Sequence, residues 1–258
     1  MLNYIKSECY RIFHSKEVYI LTAIFTALIT IFNLIHYFCI QYLPGFQYGN
    51  TAFTYGAIDT AMSTFIYIII VICSMLDGSS MRNMKNSAAF GVDRKIIYFG
   101  RMVTQSIICI VMYLYLMGLH LFLGKLLLED SGREAARIFI RSAIVCIPMF
   151  LGVVAAYHCC IFLNKNAISS AAIMIILLAV VPMGMNILGY KLSGVKKISD
   201  MLMYNLMQVE YVETAEGYLR VFTWDTTAGI VKCIIAGICA ILIFSLVGMK
   251  YFQKKEIR

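Results

Sequence analysis

The residue types that could carry out catalytic chemistry are few, and they do not converge. His158, Cys159 and Cys160 are metal-binding types at consecutive positions. Adjacent positions of a helix point about 100° apart, so these side chains cannot meet on one ion, and we predict that they pack as buried residues. The chain also lacks the phosphate loop G-x-x-x-x-G-K-[ST] and the motifs H-E-x-x-H and G-x-S-x-G. We therefore predict that it is not an enzyme and does not itself hydrolyse ATP by that route.

Polar residues inside apolar stretches are the better candidates for a site. They are Asn33, His36, Asp59 and Lys232. A charge in lipid is costly, and one hypothesis is that the four face a vestibule and contact the polar part of a substrate. The alternative is that Asp59 and Lys232, each near a predicted outer boundary, extend to the lipid headgroups at little cost. His120 also lies near an outer boundary, where we expect its ring to be hydrated.

A polar and basic stretch, residues 76–102, separates two long apolar runs. Its charged residues are Arg82, Lys85, Arg94, Lys95 and Arg101 against Asp77 and Asp93. We predict that Asp93 caps a helix beginning at Arg94, and that Gly91 takes a backbone conformation that side chains disfavour. The stretch is either a docking surface for a cytoplasmic partner or a solvated loop that is basic only because of membrane topology.

The composition places the whole chain in a membrane. Of its 258 residues, 61% are hydrophobic and 14% charged, against roughly 25% charged in soluble domains. The nine cysteines show no disulfide spacing and are read as small buried hydrophobic residues. A net charge of +8 could indicate a protein that binds nucleic acid. The distribution of that charge along the chain instead indicates the orientation of the chain in the membrane.

Six apolar runs are long enough to cross a bilayer, which predicts an all-α membrane protein with a single transmembrane domain, residues 1–258. The predicted spans cover about residues 18–40, 56–76, 102–124, 142–163, 167–190 and 226–249. Residues 1–16 predict an amphipathic helix in the interface plane, with Leu2, Ile5, Cys9, Ile12 and Phe13 on one arc. Residues 191–225 predict short helices packed on the outer mouth, which could dip into the membrane.

The distribution of charge predicts the orientation of these spans. The side that holds both termini, the basic stretch and the 164–166 turn carries 13 Lys or Arg and 5 Asp or Glu, and the other side carries 9 of each. The difference, 13 − 5 = +8, equals the whole net charge. Cytoplasmic loops are enriched in Lys and Arg, so we predict that both termini are cytoplasmic.

Two segments carry a resemblance to a known family. They are LNYIKSECYRIFHSKEVYIL at the start of the chain and LDGSSMRNMKNSAAFGVDRKIIYFGRM after the second predicted span. Together with the order of spans, they resemble the elbow helix and the first cytoplasmic loop of permeases in type-2 ATP-binding-cassette (ABC) exporters. In that loop an acidic residue, usually Glu, precedes a Gly-Ser/Thr pair, a basic residue, Gly-x-x-Arg and a basic residue that opens the third span. The matching positions here are Asp77, Gly78-Ser79, Arg82, Gly91 to Arg94, and Arg101.

The resemblance implies a function and partners. It implies a bacterial cell-membrane permease that pairs with a second permease chain, identical or homologous, and with two ATPase chains that bind ATP and Mg²⁺. The chain itself would need no cofactor and would contact lipid but no nucleic acid. The residues implied in ATPase coupling are Asp77, Arg82, Gly91, Arg94, Lys95 and Arg101.

The substrate implied by the resemblance is amphipathic. An antimicrobial peptide, exported or neutralised by an immunity system, is the first expectation, and a lipid or drug is the alternative. A membrane sensor or assembly factor that never transports is a hypothesis from another class, which a neighbouring ATPase gene would disfavour.

Overall fold

Long apolar helices form most of the chain, and the computed structural model describes residues 2–78, 87, 90–164, 166–214 and 217–254. The first helices are α1 (Leu2–Phe13), α2 (Lys16–Tyr42), α3 (Thr51–Thr60), α4 (Thr64–Gly78) and α5 (Arg94–Leu127). They are followed by α6 (Arg133–Asn164), α7 (Ala167–Gly189), α8 (Ser193–Ser199) and α9 (Met203–Leu206). Strands β1 (Val209–Thr214) and β2 (Gly217–Phe222), a 3₁₀ turn (Thr223–Asp225) and α10 (Thr227–Lys254) complete the order.

Five of these helices, α2, α5, α6, α7 and α10, are each long and apolar enough to cross a membrane. Helices α3 and α4 pass the same test as a pair that is bent by 63°. These findings confirm the predicted all-α membrane protein. The helices cover the predicted spans with shifted ends: α5 begins at Arg94 and α6 at Arg133, each before its predicted span.

The bent pair runs the full length of its neighbour α5. At one end, the Thr51 backbone N–H donates to the carbonyl oxygen of Glu129, just beyond the end of α5. At the other end, Asp77 forms an ion pair with Arg101, near the start of α5. Counted as one span, the bent pair brings the number of candidate crossings among the described residues to six. We call the end that carries residues 79–93 the loop end, and the end that carries residues 209–222 the hairpin end.

Local capping explains where several helices begin. The Asp93 side chain accepts from the Lys95 backbone N–H at 2.8 Å, which confirms the predicted cap of α5. The Asn166 side chain accepts from the Ile168 N–H at 3.0 Å, so α7 begins directly after the turn that follows α6. Helices α6 and α7 thus form an antiparallel hairpin.

Small residues hold the centre of the bundle together, where α6 packs along α10. A Cβ atom at Gly237 of α10 would overlap the backbone carbonyl group of Pro148 on α6. One at Gly248 of α10 would overlap the hydroxyl group of Tyr98 on the neighbouring α5. Without water to drive association, helices in lipid depend on this close approach for their van der Waals contact. Residues 152–162 of α6 are buried throughout, so α6 is the core of the bundle.

The segment between α7 and α10 is more ordered than the sequence predicts. Short helices α8 and α9 fit the expectation, but the antiparallel hairpin β1–β2 was not predicted. Trp224, which follows the hairpin, is fully buried and stacks on Phe222 with ring centroids 5.1 Å apart. The Val- and Tyr-rich strand sequences VEYVET and GYLRVF were the signal available for it.

A labelling experiment tests whether α3 and α4 cross. Cysteine is placed singly at Gln47, between α2 and α3, and at Lys95, Glu134 and Glu213, all of which are exposed. On a background without native cysteines, we expect an impermeant thiol reagent to label positions 47, 134 and 213 from one side only and position 95 from the opposite side only. Labelling of positions 47 and 95 from the same side would contradict the crossing of α3 and α4.

Candidate functional site

A buried ion pair joins α4 to α5 at the loop end. The Arg101 guanidinium contacts the Asp77 carboxylate, with 2% of the Arg101 side chain and none of the Asp77 side chain exposed. The guanidinium carbon also lies 5.9 Å from the centroid of the Phe162 ring on α6. Both residues were expected in ATPase coupling. In this position neither reaches the surface, so any effect on coupling passes through the helices they join.

The elbow helix α1 packs against the same region. The Tyr4 ring lies so close to Gly100 of α5 that a Cβ there would be 2.6 Å from a ring carbon. Burial, and secondarily the Glu8 carboxylate, raises the pKa of the Tyr4 hydroxyl, which therefore stays protonated. Glu8 forms a salt bridge with Arg11 at 2.7 Å and is itself buried.

The face that α1 turns inward differs from the predicted apolar arc. Ile12 is buried as expected, but Leu2 and Phe13 are 68% and 57% exposed. Tyr4 and Glu8 contribute to the inner face in their place. The paired charge of Arg11 compensates the buried Glu8 carboxylate, which a hydropathy pattern alone does not reveal.

Arg94 ties the start of α5 to the end of the chain. Its Nη1 donates to the carbonyl oxygen of Gln253 in the last turn of α10 at 3.0 Å. The next residue, Lys95, is exposed. Gly91 has a φ of +82°, in the left-handed region, which confirms the predicted special conformation. Arg82 and Lys85 lie outside the described residues.

These contacts join four helices at the loop end. Residues 79–93 connect two helices that the ion pair clamps together, while α1 and α10 are fixed to the start of α5. A displacement of the residues between α4 and α5 would therefore act on all four helices, because packed interiors transmit strain.

The histidine in the His-Cys-Cys sequence is part of the bundle core. His158 is fully buried, and its Nε2 donates to the Tyr98 carbonyl oxygen at 2.9 Å. Its Nδ1 lies 3.1 Å from the side-chain oxygen of Gln105. The described residues contain no group of three or more His, Cys, Asp or Glu side chains placed to hold a metal ion.

At the hairpin end, Asn33 of α2 and His120 of α5 form a buried polar contact. The Asn33 Nδ2 atom lies 3.0 Å from His120 Nδ1, and His120 Nε2 lies 3.3 Å from the Thr54 carbonyl oxygen. His120 is fully buried, not hydrated as we expected. His36 lies one turn beyond Asn33, where its ring contacts Phe46 and Phe53.

The other two candidates of the predicted vestibule lie elsewhere. Asp59 is buried against α6, where the Ser142 hydroxyl donates to its carboxylate at 2.5 Å. Lys232 is exposed on α10 and lines an apolar groove. Among the described residues, no hydrogen bond or ion pair links these two residues to each other or to Asn33 and His36.

One contact at the hairpin end was missed by sequence reasoning. Arg141 of α6 forms a salt bridge with Asp225 at 3.0 Å, and the same carboxylate accepts from the Phe222 N–H at 2.8 Å. The pair fixes the hairpin and the start of α10 onto α6. Its members lie 84 residues apart, and no local pattern links them.

No protein-family model matches the chain, and no curated protein matches it.

Proposed function

We propose that this chain is the permease subunit of a type-2 ABC exporter in a bacterial cell membrane. It works with a second permease chain and two ATPase chains, which bind ATP and Mg²⁺. Its loop end and both termini are cytoplasmic, in keeping with the excess of Lys and Arg on that side. Its substrate is amphipathic, with an antimicrobial peptide as the first candidate.

The observation that carries the proposal is the junction at the loop end. A permease without its own nucleotide site has to receive force from another chain. The loop of residues 79–93 lies between helices that are clamped by Asp77–Arg101 and braced by α1 and by the end of α10. An ATPase that binds this loop would move the bundle as a body. Transport then requires that the two resulting states bind the substrate differently.

Helix α2 has an exposed face that could contact the second permease chain. In the most apolar segment of α2, only 11% of the residues are buried, the smallest share among the helices that could span a membrane. The corresponding share in α6 is 61%. One face of α2 carries the small residues Ala23, Thr26, Ala27 and Thr30 around a groove. Faces of this kind allow close helix contact in lipid, which supports a permease partner here.

A lipid substrate is the second candidate, and a single feature favours it. An apolar groove of about 660 Å³ lies against α10, with Lys232 as the one charged residue among the described residues that line it. A groove of this composition fits an acyl chain better than a peptide with several charges.

A charge reversal at the loop end tests the proposal. Lys95→Glu places a negative charge on an exposed side chain in the first turn of α5, where the helix dipole tolerates it. If an acidic ATPase site docks here, we expect ATP turnover of the reconstituted complex, stimulated by an antimicrobial peptide, to fall by about tenfold, because like charges then oppose each other. Folding and membrane insertion should persist.

The same helix supplies the matched control. Lys125→Glu makes the identical change in the last turn of α5, at the hairpin end. Turnover of that variant should equal that of the parent complex. Equal turnover for Lys95→Glu would mean that the basic loop is only a topology signal and would remove the docking role of this surface.

A further inference from the structure

A groove on the outside of the bundle has walls from three parts of the fold. The π-helical turns Ile176–Val180 of α7 and the following Pro182 form one wall, and residues 201–204 form the second. Helix α10 forms the third, from Lys232 to Phe244. The enclosed volume is about 660 Å³, and the lining is almost entirely apolar.

Local chemistry explains why the groove exists. Pro182 has no backbone N–H, so the helix cannot complete its regular hydrogen bond to residue 178, and the turns before it widen. The side chain of Asn205 donates to the Pro182 carbonyl oxygen at 3.1 Å and to the Ser199 carbonyl oxygen at 3.0 Å. These bonds hold the short helices α8 and α9 against α7, so the groove wall is fixed in place.

The groove has a charged end and an apolar body. Lys232 lies near the hairpin end of α10 and forms no ion pair with a described residue. Ala236, Cys239 and Ile243 follow it on the same face. The helix rises by about 18 Å from Lys232 to Phe244, close to one leaflet of a hydrocarbon core about 30 Å thick.

We propose that this groove binds one anionic phospholipid. The lipid phosphate pairs with the Lys232 ammonium group, and an acyl chain lies along α10 towards Phe244. The lone cation selects the headgroup charge, while the apolar walls accept the chain without specific contacts. The site is a property of this chain by itself and does not depend on an ATPase or on transport.

The native thiol of Cys239 provides a local readout. It is exposed and lines the groove, whereas Cys9 and Cys39 are half-buried and lie on α1 and α2. The full-length chain in detergent is titrated with phosphatidylglycerol or with phosphatidylcholine that has the same acyl chains. Alkylation of each cysteine by a soluble maleimide is then followed by mass spectrometry of the peptides.

We expect phosphatidylglycerol to protect Cys239 at a concentration about fivefold lower than phosphatidylcholine, the effect of one basic residue near an anionic lipid. Lys232→Gln should remove this difference. Lys125→Gln, which removes an exposed charge at the hairpin end away from the groove, should retain it. Each variant is compared with its own lipid-free rate, because a nearby lysine also alters thiol reactivity.

Three results would overturn the proposal. One is equal protection of Cys239 by the two lipids in the parent protein. Another is an unchanged preference in Lys232→Gln. The third is protection of Cys239 that is no greater than that of Cys39, which would indicate general coating by lipid. Protection by a cationic amphipathic peptide but not by phosphatidylglycerol would assign the groove to a peptide instead. Because no ATP is used, none of these results bears on the ATPase partnership.

Discussion

Replacing Arg101 with methionine should lower the free energy of unfolding by about 3–5 kcal/mol, because it leaves the Asp77 carboxylate buried without its partner. The second oxygen of that carboxylate has no hydrogen-bond partner among the described residues. Thermal unfolding in detergent, followed by size-exclusion chromatography of the surviving protein, measures the loss. The double variant Asp77→Leu/Arg101→Met should recover most of it, since a buried pair can be replaced by apolar residues of similar size.

An exposed ion pair provides the control for this experiment. Arg137 and Glu134 lie 3.6 Å apart with 81% and 71% of their side chains exposed. Arg137→Met should therefore change stability by about 1 kcal/mol or less. A loss for Arg101→Met as small as that for Arg137→Met would show that the loop end does not depend on its buried pair.

Gly237→Ala should be the second most damaging change, because the added methyl group would meet the backbone of Pro148. A backbone carbonyl cannot move aside as a flexible side chain can, so α10 must shift away from α6. We expect a loss of about 1–3 kcal/mol, the usual effect of overpacking a closely packed interior. The same thermal assay measures it.

Gly118→Ala is the matched substitution. Gly118 also lies inside a spanning helix, α5, but a Cβ there would meet nothing within 4 Å. Alanine has a helix propensity up to about 1 kcal/mol better than glycine, so this variant should be as stable as the parent or slightly more so. If the two variants behaved alike, the close contact between α6 and α10 would not be a determinant of stability.

The features that could be predicted from sequence are local. The Asp93 cap and the special backbone of Gly91 follow from residue type and immediate neighbours. The all-α membrane class follows from the length of the apolar runs, because about 20 apolar residues in a helix suffice to cross a bilayer.

The features that could not be predicted depend on contacts between distant residues. Arg101 was expected at a surface because basic residues near a span end usually are, but its partner Asp77, 24 residues away, allows its burial. The bend between α3 and α4 has neither Gly nor Pro at residues 61–63 to mark it in the sequence. The vestibule hypothesis groups Asn33 with Asp59 only because both lie within apolar stretches of the sequence. In the structure Asn33 contacts α5, whereas Asp59 contacts α6.

The central claim is that this chain is moved by a separate ATPase, and the partners that remain bound to it test that claim most directly. The tagged chain is extracted from its native membrane in mild detergent, and the co-purifying chains are identified by mass spectrometry. We predict a chain that carries the phosphate loop G-x-x-x-x-G-K-[ST], in a one-to-one ratio with the permease. Recovery of the intact chain with no nucleotide-binding partner would contradict the proposal and favour a sensor or assembly factor.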